Sequence, residues 1–187
     1  QLLLFHERAL PNLAENIKCG NSLIASDFSM IPEDLVRVRA FDWDVQFPEA
    51  MKAGGFDAVI GNPPYVLLQT MDERSIFSYI HETYRSARYK IDTYQVFMEK
   101  AIYLTNESGF FGFITPNSFL RNKHAIELRS ILLETTEIAA LRSFYYSVFK
   151  GPSVDTCILI AQKKKHPRPT AKILVIRSES LGKSISH

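Results

Sequence analysis

The sequence predicts an α/β fold, because short apolar runs alternate along the chain with amphipathic stretches. That alternation is typical of a sheet whose strands are joined by crossover helices. No internal repeat or low-complexity tract interrupts the pattern. Runs with the length of strands occur at residues 17–20, 56–60, 110–115, 138–144, 156–162 and 173–176.

Three helices are expected between these strands. The clearest begins after Asp92, a residue suited to an N-cap, and runs to Leu104 with apolar side chains at the 3.6-residue period. Gly109 is available to end it. A second helix is predicted at 124–133 and a third within 73–85.

The composition indicates a soluble globular domain but does not identify a binding partner. The chain has 187 residues, of which 46% are hydrophobic and 22% charged, as in soluble domains and unlike disordered or fibrous chains. A net charge of +2 neither supports nor excludes nucleic acid, because a DNA-binding footprint is a local cluster. The apolar run 1–5 is too short for a signal sequence or a membrane span, so we expect a cytoplasmic protein.

Cysteine and histidine content argues against disulfide and metal chemistry. Cys19 and Cys157 lie in apolar runs without CxxC spacing, which predicts two buried thiols in a reducing compartment. The five histidines are scattered without ligand spacing, so no metal site is expected.

A tetrapeptide, Asn62-Pro63-Pro64-Tyr65, follows a strand of buried type at residues 55–61. Ligands of open α/β sheets bind at the carboxyl ends of strands, so this loop is placed where a reactive loop belongs. Asn-Pro-Pro could also be a plain turn. A turn alone explains neither the aromatic residue that follows it nor the glycine that precedes it.

The tetrapeptide is rich in hydrogen-bond acceptors, which suits an exocyclic amino group of a base. The lone pair of such a nitrogen is conjugated into the ring, and acceptors for its two hydrogens let it become tetrahedral. The Asn62 side-chain carbonyl and the Pro63 backbone carbonyl can accept them. The prolines stiffen the loop, and Tyr65 offers an aromatic face on which an extruded base can stack.

With these residues the sequence resembles the gamma-class adenine-specific DNA amino-methyltransferases, in particular type IIG restriction-modification enzymes and related phage-defence methylases. The resemblance extends from Asn16 to about Gln162. It implies a Rossmann-like S-adenosylmethionine-dependent methyltransferase fold with a mixed sheet and helices on both faces. It also implies double-stranded DNA with a flipped adenine as the substrate, since amino-cytosine enzymes usually carry Ser at the position of Asn62.

The same resemblance assigns the remaining site residues. The run 17–23 is similar to the motif that contacts the cofactor adenine, which implies cofactor binding by Asn21 and Ser22. The resemblance assigns Pro64 of the tetrapeptide to the cofactor as well. Asn21 could instead cap its own turn. Residues 92–100 resemble the motif in which an aromatic lies on that adenine, matched by Phe97, although an aromatic on a helix face is often plain core.

Two further stretches resemble family motifs nearer the carboxyl end. Residues 109–116 are similar to a structural strand of the family. The loop 147–156 resembles the one whose aromatic closes the second face of the flipped base, and here that residue is Phe149. A hydrophobic anchor of the loop is the alternative role for Phe149.

The chain departs from the family pattern in the cofactor site. An aromatic-x-Gly-x-Gly loop is absent, and Gly54-Gly55 precedes a strand instead of following one. Residues 1–162 are therefore interpreted as the C-terminal portion of a methyltransferase domain, inactive in isolation and with an incomplete S-adenosylmethionine site. Target-recognition and nuclease domains are expected elsewhere in the parent protein. The edge of the strand that ends at Ile60 should be uncovered and open to self-association.

Residues 163–187 are interpreted as a basic linker and the start of a following segment. A solvated linker is the simpler interpretation, and contact with DNA phosphates is the alternative.

Two other functions remain open from the sequence. One is a methyltransferase that acts on RNA or on protein glutamine, since Asn-Pro-Pro-Tyr also occurs in such enzymes. The other is a non-catalytic DNA-binding or interaction fragment that keeps the base pocket without a donor site.

Overall fold

The computed structural model describes residues 13, 15–68, 74–88, 92–144, 148, 154–168 and 174–178. The chain divides into two compact units, Gln1–Gln46 and Phe47–His187. Within the described residues, no helix is both long and apolar enough to cross a membrane.

The first unit contains helices α1 (Pro32–Val38) and α2 (Trp43–Gln46) and a 3-10 turn at Ser26–Phe28. Its buried apolar side chains are Leu23, Ile24, Val38 and Phe41. The ring of Phe41 meets that of Trp43 edge to face, with centroids 5.0 Å apart. A small apolar core of this kind holds the two short helices together.

The prediction of a strand at 17–20 is wrong. These residues form no strand; the nearest ladder contact is a single parallel bridge between Asn21 and Ala40. The side chains of Ile17 and Cys19 are exposed, so the segment lacks the buried face that stabilises a strand. The prediction of a buried Cys19 thiol is therefore also wrong, whereas Cys157 is buried as predicted, and both thiols are free.

The second unit is a mixed five-stranded sheet in the order β1-β2-β4-β3-β5. The strands are β1 (Phe56–Gly61), β2 (Thr105–Pro116), β3 (Thr136–Phe144), β4 (Thr156–Lys163) and β5 (Leu174–Ser178). The β1–β2 and β3–β5 pairs are parallel, and β4 is antiparallel to both of its neighbours. All five correspond to predicted strands, and β5 brings part of the predicted linker region into the sheet.

Helices α3 (Pro48–Lys52), α4 (Arg74–Thr83), α5 (Thr93–Leu104) and α6 (Ile126–Thr135) belong to the same unit. The three longer ones confirm the predicted helices. Side chains of α5 and α6 share one apolar core with alternate residues of β2 and β4. Examples are Tyr94 and Met98 of α5, Leu128 of α6, Phe111 of β2 and Leu159 of β4. Because strand side chains alternate between faces, α5 and α6 lie on the same face of the sheet.

Helix α5 does not end at Gly109. It stops at Leu104, where the Thr105 hydroxyl donates to the Ala101 carbonyl at 2.7 Å, and β2 begins at once. Gly109 instead lies in an irregular part of β2 between two registers of the β1–β2 pair. A Cβ there would come within 2.9 Å of the Asp57 carbonyl oxygen, so the close approach of β1 requires glycine.

Candidate active site

The tetrapeptide lies at the carboxyl end of β1, directly after Gly61. Asn62 and Pro64 are exposed, Pro63 is buried and Tyr65 is half-buried. Because β1 and β2 are parallel, this end of β1 meets the same edge of the sheet as the end of β2. The loop is therefore presented at the edge where an open α/β sheet binds its ligands.

Gly61 determines how closely the start of this loop packs against β2. It pairs with Phe113 of β2, and a Cβ on Gly61 would lie 2.9 Å from the Phe113 ring. Phe113 is 5% exposed and cannot swing away at low cost. The glycine before the asparagine is thus a packing requirement that lets the backbone lie against an aromatic ring.

The Tyr65 hydroxyl joins the loop to the sheet. It lies 3.0 Å from the Ile114 carbonyl oxygen and 3.2 Å from Oδ1 of Asn62, and its single proton can be donated to either acceptor. Burial is the main cause that raises the pKa of Tyr65, and the charge that Cys157 would carry as a thiolate acts in the same direction. The phenol therefore keeps its proton at neutral pH and remains a donor to one or the other of these oxygens.

Tyr94 supports Tyr65 from helix α5. The two rings meet edge to face with centroids 6.4 Å apart, and Tyr94 is 1% exposed. Burial raises the pKa of Tyr94 to about 12. Its hydroxyl lies 3.3 Å from Oγ of Ser118, in the turn Asn117–Leu120 that follows β2. This chain of contacts connects the loop after β1 with the turn after β2.

Thr93, the first residue of α5, holds the other side of the loop. Its hydroxyl donates to the Pro64 carbonyl at 2.6 Å and accepts from the Val66 N–H at 3.2 Å. Neither Thr93 nor Tyr94 was predicted from the sequence as a site residue. The available signal was a hydroxyl at the first position of an otherwise apolar helix face, directly after the predicted cap Asp92.

Phe149 lies outside the described residues. The segment that carries it joins β3 to β4, and its end is anchored where the Asn117 N–H donates to the Asp155 carbonyl at 2.9 Å. Thr156, the first residue of β4, pairs with Pro116 at the end of β2. The segment therefore returns to the edge of the sheet that presents the tetrapeptide.

The residues assigned to the cofactor are divided between the two units. Asn21 and Ser22 belong to the first unit, and Pro64 and Phe97 to the second. Oδ1 of Asn21 accepts a hydrogen bond from the Leu23 N–H at 3.2 Å, as expected for a side chain that caps its own turn. The Ser22 carbonyl accepts the indole N–H of Trp43 at 3.2 Å.

Phe97 is half-buried and packs against the core of the second unit. Pro64 is exposed and Phe97 is partly exposed, and the assignment of both to the cofactor stays a prediction. No residue of the chain matches the glycine loop that would hold the methionine end. In the described part of the chain, no cluster of His, Cys, Asp or Glu is arranged to hold a metal ion.

Solved structures with a similar architecture define the class of fold. A protein assigned as a class I S-adenosylmethionine-dependent methyltransferase from Listeria monocytogenes matches with a TM-score of 0.56 and 17% identity, over 69% of this chain and 38% of that one. The type IIL restriction-modification enzyme MmeI, solved in complex with DNA, matches with a TM-score of 0.55 and 20% identity, over 77% of this chain and 19% of that one. The fold is that of a Rossmann-like S-adenosylmethionine-dependent methyltransferase.

Sequence comparison then identifies the family. Residues 2–149 match the Eco57I restriction-modification methylase family, and the chain belongs to that family. The type II restriction enzyme and methyltransferase RM.Eco57I of Escherichia coli is 32% identical over 160 residues, 84% of this chain and 15% of that protein. The chain thus spans a small part of the length of this relative.

Proposed function

We propose that this chain carries the methyl-transfer site of an enzyme that methylates the exocyclic amino group of adenine in DNA. The observation that carries the proposal is the setting of Asn62. Its side chain is exposed at the carboxyl end of β1, beside two prolines, and its Oδ1 lies within hydrogen-bond distance of the Tyr65 hydroxyl, at 3.2 Å. A fixed, accessible acceptor is what an amino group needs in order to become nucleophilic.

The chain acts on the amino nitrogen through two acceptors. Oδ1 of Asn62 and the Pro63 carbonyl oxygen each accept a hydrogen bond from one amino hydrogen, which favours a tetrahedral nitrogen whose lone pair is no longer conjugated with the ring. These bonds strengthen as the nitrogen becomes tetrahedral, so they stabilise the transition state more than the bound base. When bound, S-adenosylmethionine would supply the methyl group from its sulfonium sulfur, and the amino proton can leave after transfer.

Two aromatic side chains would hold the extruded base. The Tyr65 hydroxyl lies 3.0 Å from the Ile114 carbonyl oxygen and its ring meets that of Tyr94 edge to face, so its orientation is fixed before a base arrives. Phe149 lies on a segment whose end, at Asp155, is fixed beside the end of β2. A slot between Tyr65 and Phe149 would suit a planar base.

The relatives support DNA as the substrate. RM.Eco57I is a restriction enzyme and methyltransferase, and MmeI was solved in complex with DNA. Because the chain spans 15% of the length of RM.Eco57I, we propose target-recognition and nuclease segments in the intact protein. An enzyme of this kind would work in the cytoplasm, where the DNA is.

An Asn62→Ala variant of the full-length protein tests the proposal. We expect methyl transfer to DNA to fall by at least about a hundredfold, as for other groups that act on the transition state, while DNA affinity stays nearly unchanged. The readout is incorporation of labelled methyl groups beside a DNA-binding titration.

Asn106→Ala is the matched control. The Asn106 amide donates to Oδ1 of Asp57 at 2.6 Å, near the start of β1 and away from the tetrapeptide. We expect this variant to keep its activity. Near-normal turnover in Asn62→Ala would remove the catalytic assignment.

A further inference from the structure

Thr93 contacts the loop of residues 62–66, here called the acceptor loop, through both its backbone and its side chain. The Thr93 N–H donates to the Val66 carbonyl at 2.9 Å. The hydroxyl donates to the Pro64 carbonyl at 2.6 Å and accepts the Val66 N–H at 3.2 Å. The residue is 5% exposed, so water competes little for these bonds.

These bonds fix the peptide planes that follow Pro64. The ring of Pro64 already fixes its φ angle, which leaves ψ of Pro64 as the soft torsion between the Pro63 carbonyl and the rest of the loop. By holding the Pro64 carbonyl, the Thr93 hydroxyl restrains that torsion. The direction of the Pro63 carbonyl relative to helix α5 therefore depends on a side chain that lies behind the loop.

We propose that Thr93 is a positioning residue for methyl transfer, which sets the direction of the Pro63 carbonyl acceptor without touching the base. The inference rests on the proposed function, because it assigns Thr93 a part in that reaction. Loss of the hydroxyl would let the Pro63 carbonyl move away from the amino group. A misplacement of about 1 Å in such a group can cost about a hundredfold in rate.

The contrast between Thr93→Val and Thr93→Ser separates positioning from packing. Valine keeps the shape of threonine and removes the hydroxyl, whereas serine keeps the hydroxyl and removes a methyl group. If Thr93 served only to fill space, valine would be the milder change. If the hydroxyl directs the loop, serine is the milder change.

Thr136→Val is the matched control. Thr136 is 3% exposed, and its hydroxyl donates to the Leu132 carbonyl at 2.7 Å at the end of α6. This substitution removes a buried threonine hydroxyl bond that has no contact with the loop. We expect it to lower stability about as much as Thr93→Val and to leave methyl transfer unchanged.

The experiment measures steady-state methylation of a DNA substrate by the full-length protein and its variants, with thermal melting as the test of folding. Thr93→Val should lower kcat by about ten- to a hundredfold with little change in the KM for DNA, because the bonds of the acceptors strengthen only in the transition state. Thr93→Ser should stay within about threefold of the wild type. If Thr93→Val does not fold, Thr93→Ala is compared with Thr93→Ser in its place.

Amide hydrogen exchange adds a readout that does not depend on activity. The Val66 N–H loses its acceptor in Thr93→Val and should exchange faster, but not in Thr93→Ser or Thr136→Val. An active wild type with an equally active Thr93→Val would overturn this inference alone, as would serine and valine variants with the same loss. A wild type that transfers no methyl group to DNA would overturn the proposed function, and this inference with it.

Discussion

At the scale of single residues, the hydroxyl of Tyr65 decides how the Asn62 amide is presented. When its single proton is donated to Asn62, it favours the amide orientation in which Oδ1, and not the NH2 group, lies 3.2 Å away. A carbonyl oxygen has two lone pairs, so Oδ1 can accept from Tyr65 and still accept an amino hydrogen of a base. Burial raises the pKa of Tyr65, which keeps this donor protonated through the neutral range.

Phe149 carries a prediction at the same scale. Stacking of a base on an aromatic side chain contributes roughly 1–3 kcal/mol, so Phe149→Ala should weaken productive base capture about ten- to a hundredfold. Phe149→Trp keeps an aromatic face and should retain most activity. Fluorescence of a 2-aminopurine at the target position reports base extrusion. An unchanged signal and rate in Phe149→Ala would assign the residue to packing.

The residues of the tetrapeptide could be predicted from sequence because their chemistry is local. Asn62, Pro63 and Tyr65 lie within four consecutive residues, and the strand before them places them at a sheet edge. Thr93 could not be predicted in this way, since its partner Pro64 lies 29 positions away and a threonine at a helix start looks the same exposed or buried. Two roles were open for Asn21, cofactor binding and capping of its own turn. The turn-capping bond, from the Leu23 N–H to Oδ1 of Asn21, joins residues two positions apart and could therefore be predicted locally.

At the scale of elements, the turn after β2 depends on one guanidinium group. Arg129 of α6 donates from Nη1 to the Phe119 carbonyl at 2.6 Å and to the Asn122 carbonyl at 2.7 Å. The same turn presents Ser118 to the Tyr94 hydroxyl. Helix α6 thereby supports the candidate site through the turn, although it contributes no residue to the tetrapeptide.

Arg129→Met should lower the free energy of unfolding by about 1–3 kcal/mol, because two carbonyl oxygens lose a charged donor. Urea denaturation measures the loss. Arg121→Met, which removes an exposed arginine from the same turn, is the control and should change stability by less than about 0.5 kcal/mol. Equal midpoints for the two variants would contradict the structural role of Arg129.

The boundaries of elements were harder to predict than their existence. The predicted strands from residue 56 onward and the three longer helices were confirmed. The strand at 55–61 was expected to be of buried type, but no residue of β1 is buried and Ile60 is 87% exposed, because β1 lies at the edge of the described sheet. The strand at 17–20 was wrong because an apolar composition does not supply a neighbouring strand. Gly109 was misassigned because its role depends on the approach of Asp57 in β1, which the local sequence does not contain.

At the scale of the whole molecule, the second unit ends its sheet at β1. Among the described strands, β1 pairs with β2 alone, and the side chain of Ile60 is 87% exposed. The sheet thus offers an open edge beside the candidate site. Pairing of that edge with another chain remains a prediction, and so does the domain boundary at residue 162.

The 187-residue chain should bind S-adenosylmethionine more weakly than the full-length protein, because nothing in its sequence matches the loop for the methionine end. Isothermal titration calorimetry on both proteins compares the dissociation constants. A low-micromolar dissociation constant for the chain alone would mean that it holds a complete cofactor site. The interpretation of residues 1–162 as part of a domain would then be wrong.

The product of the reaction tests the central claim most directly. The full-length protein is incubated with DNA and S-adenosylmethionine that carries a labelled methyl group, and the DNA is digested to nucleosides for mass spectrometry. The account predicts label on the exocyclic nitrogen of deoxyadenosine, and none after incubation with Asn62→Ala. Label on deoxycytidine, or DNA that stays unlabelled with the wild-type protein, would contradict it.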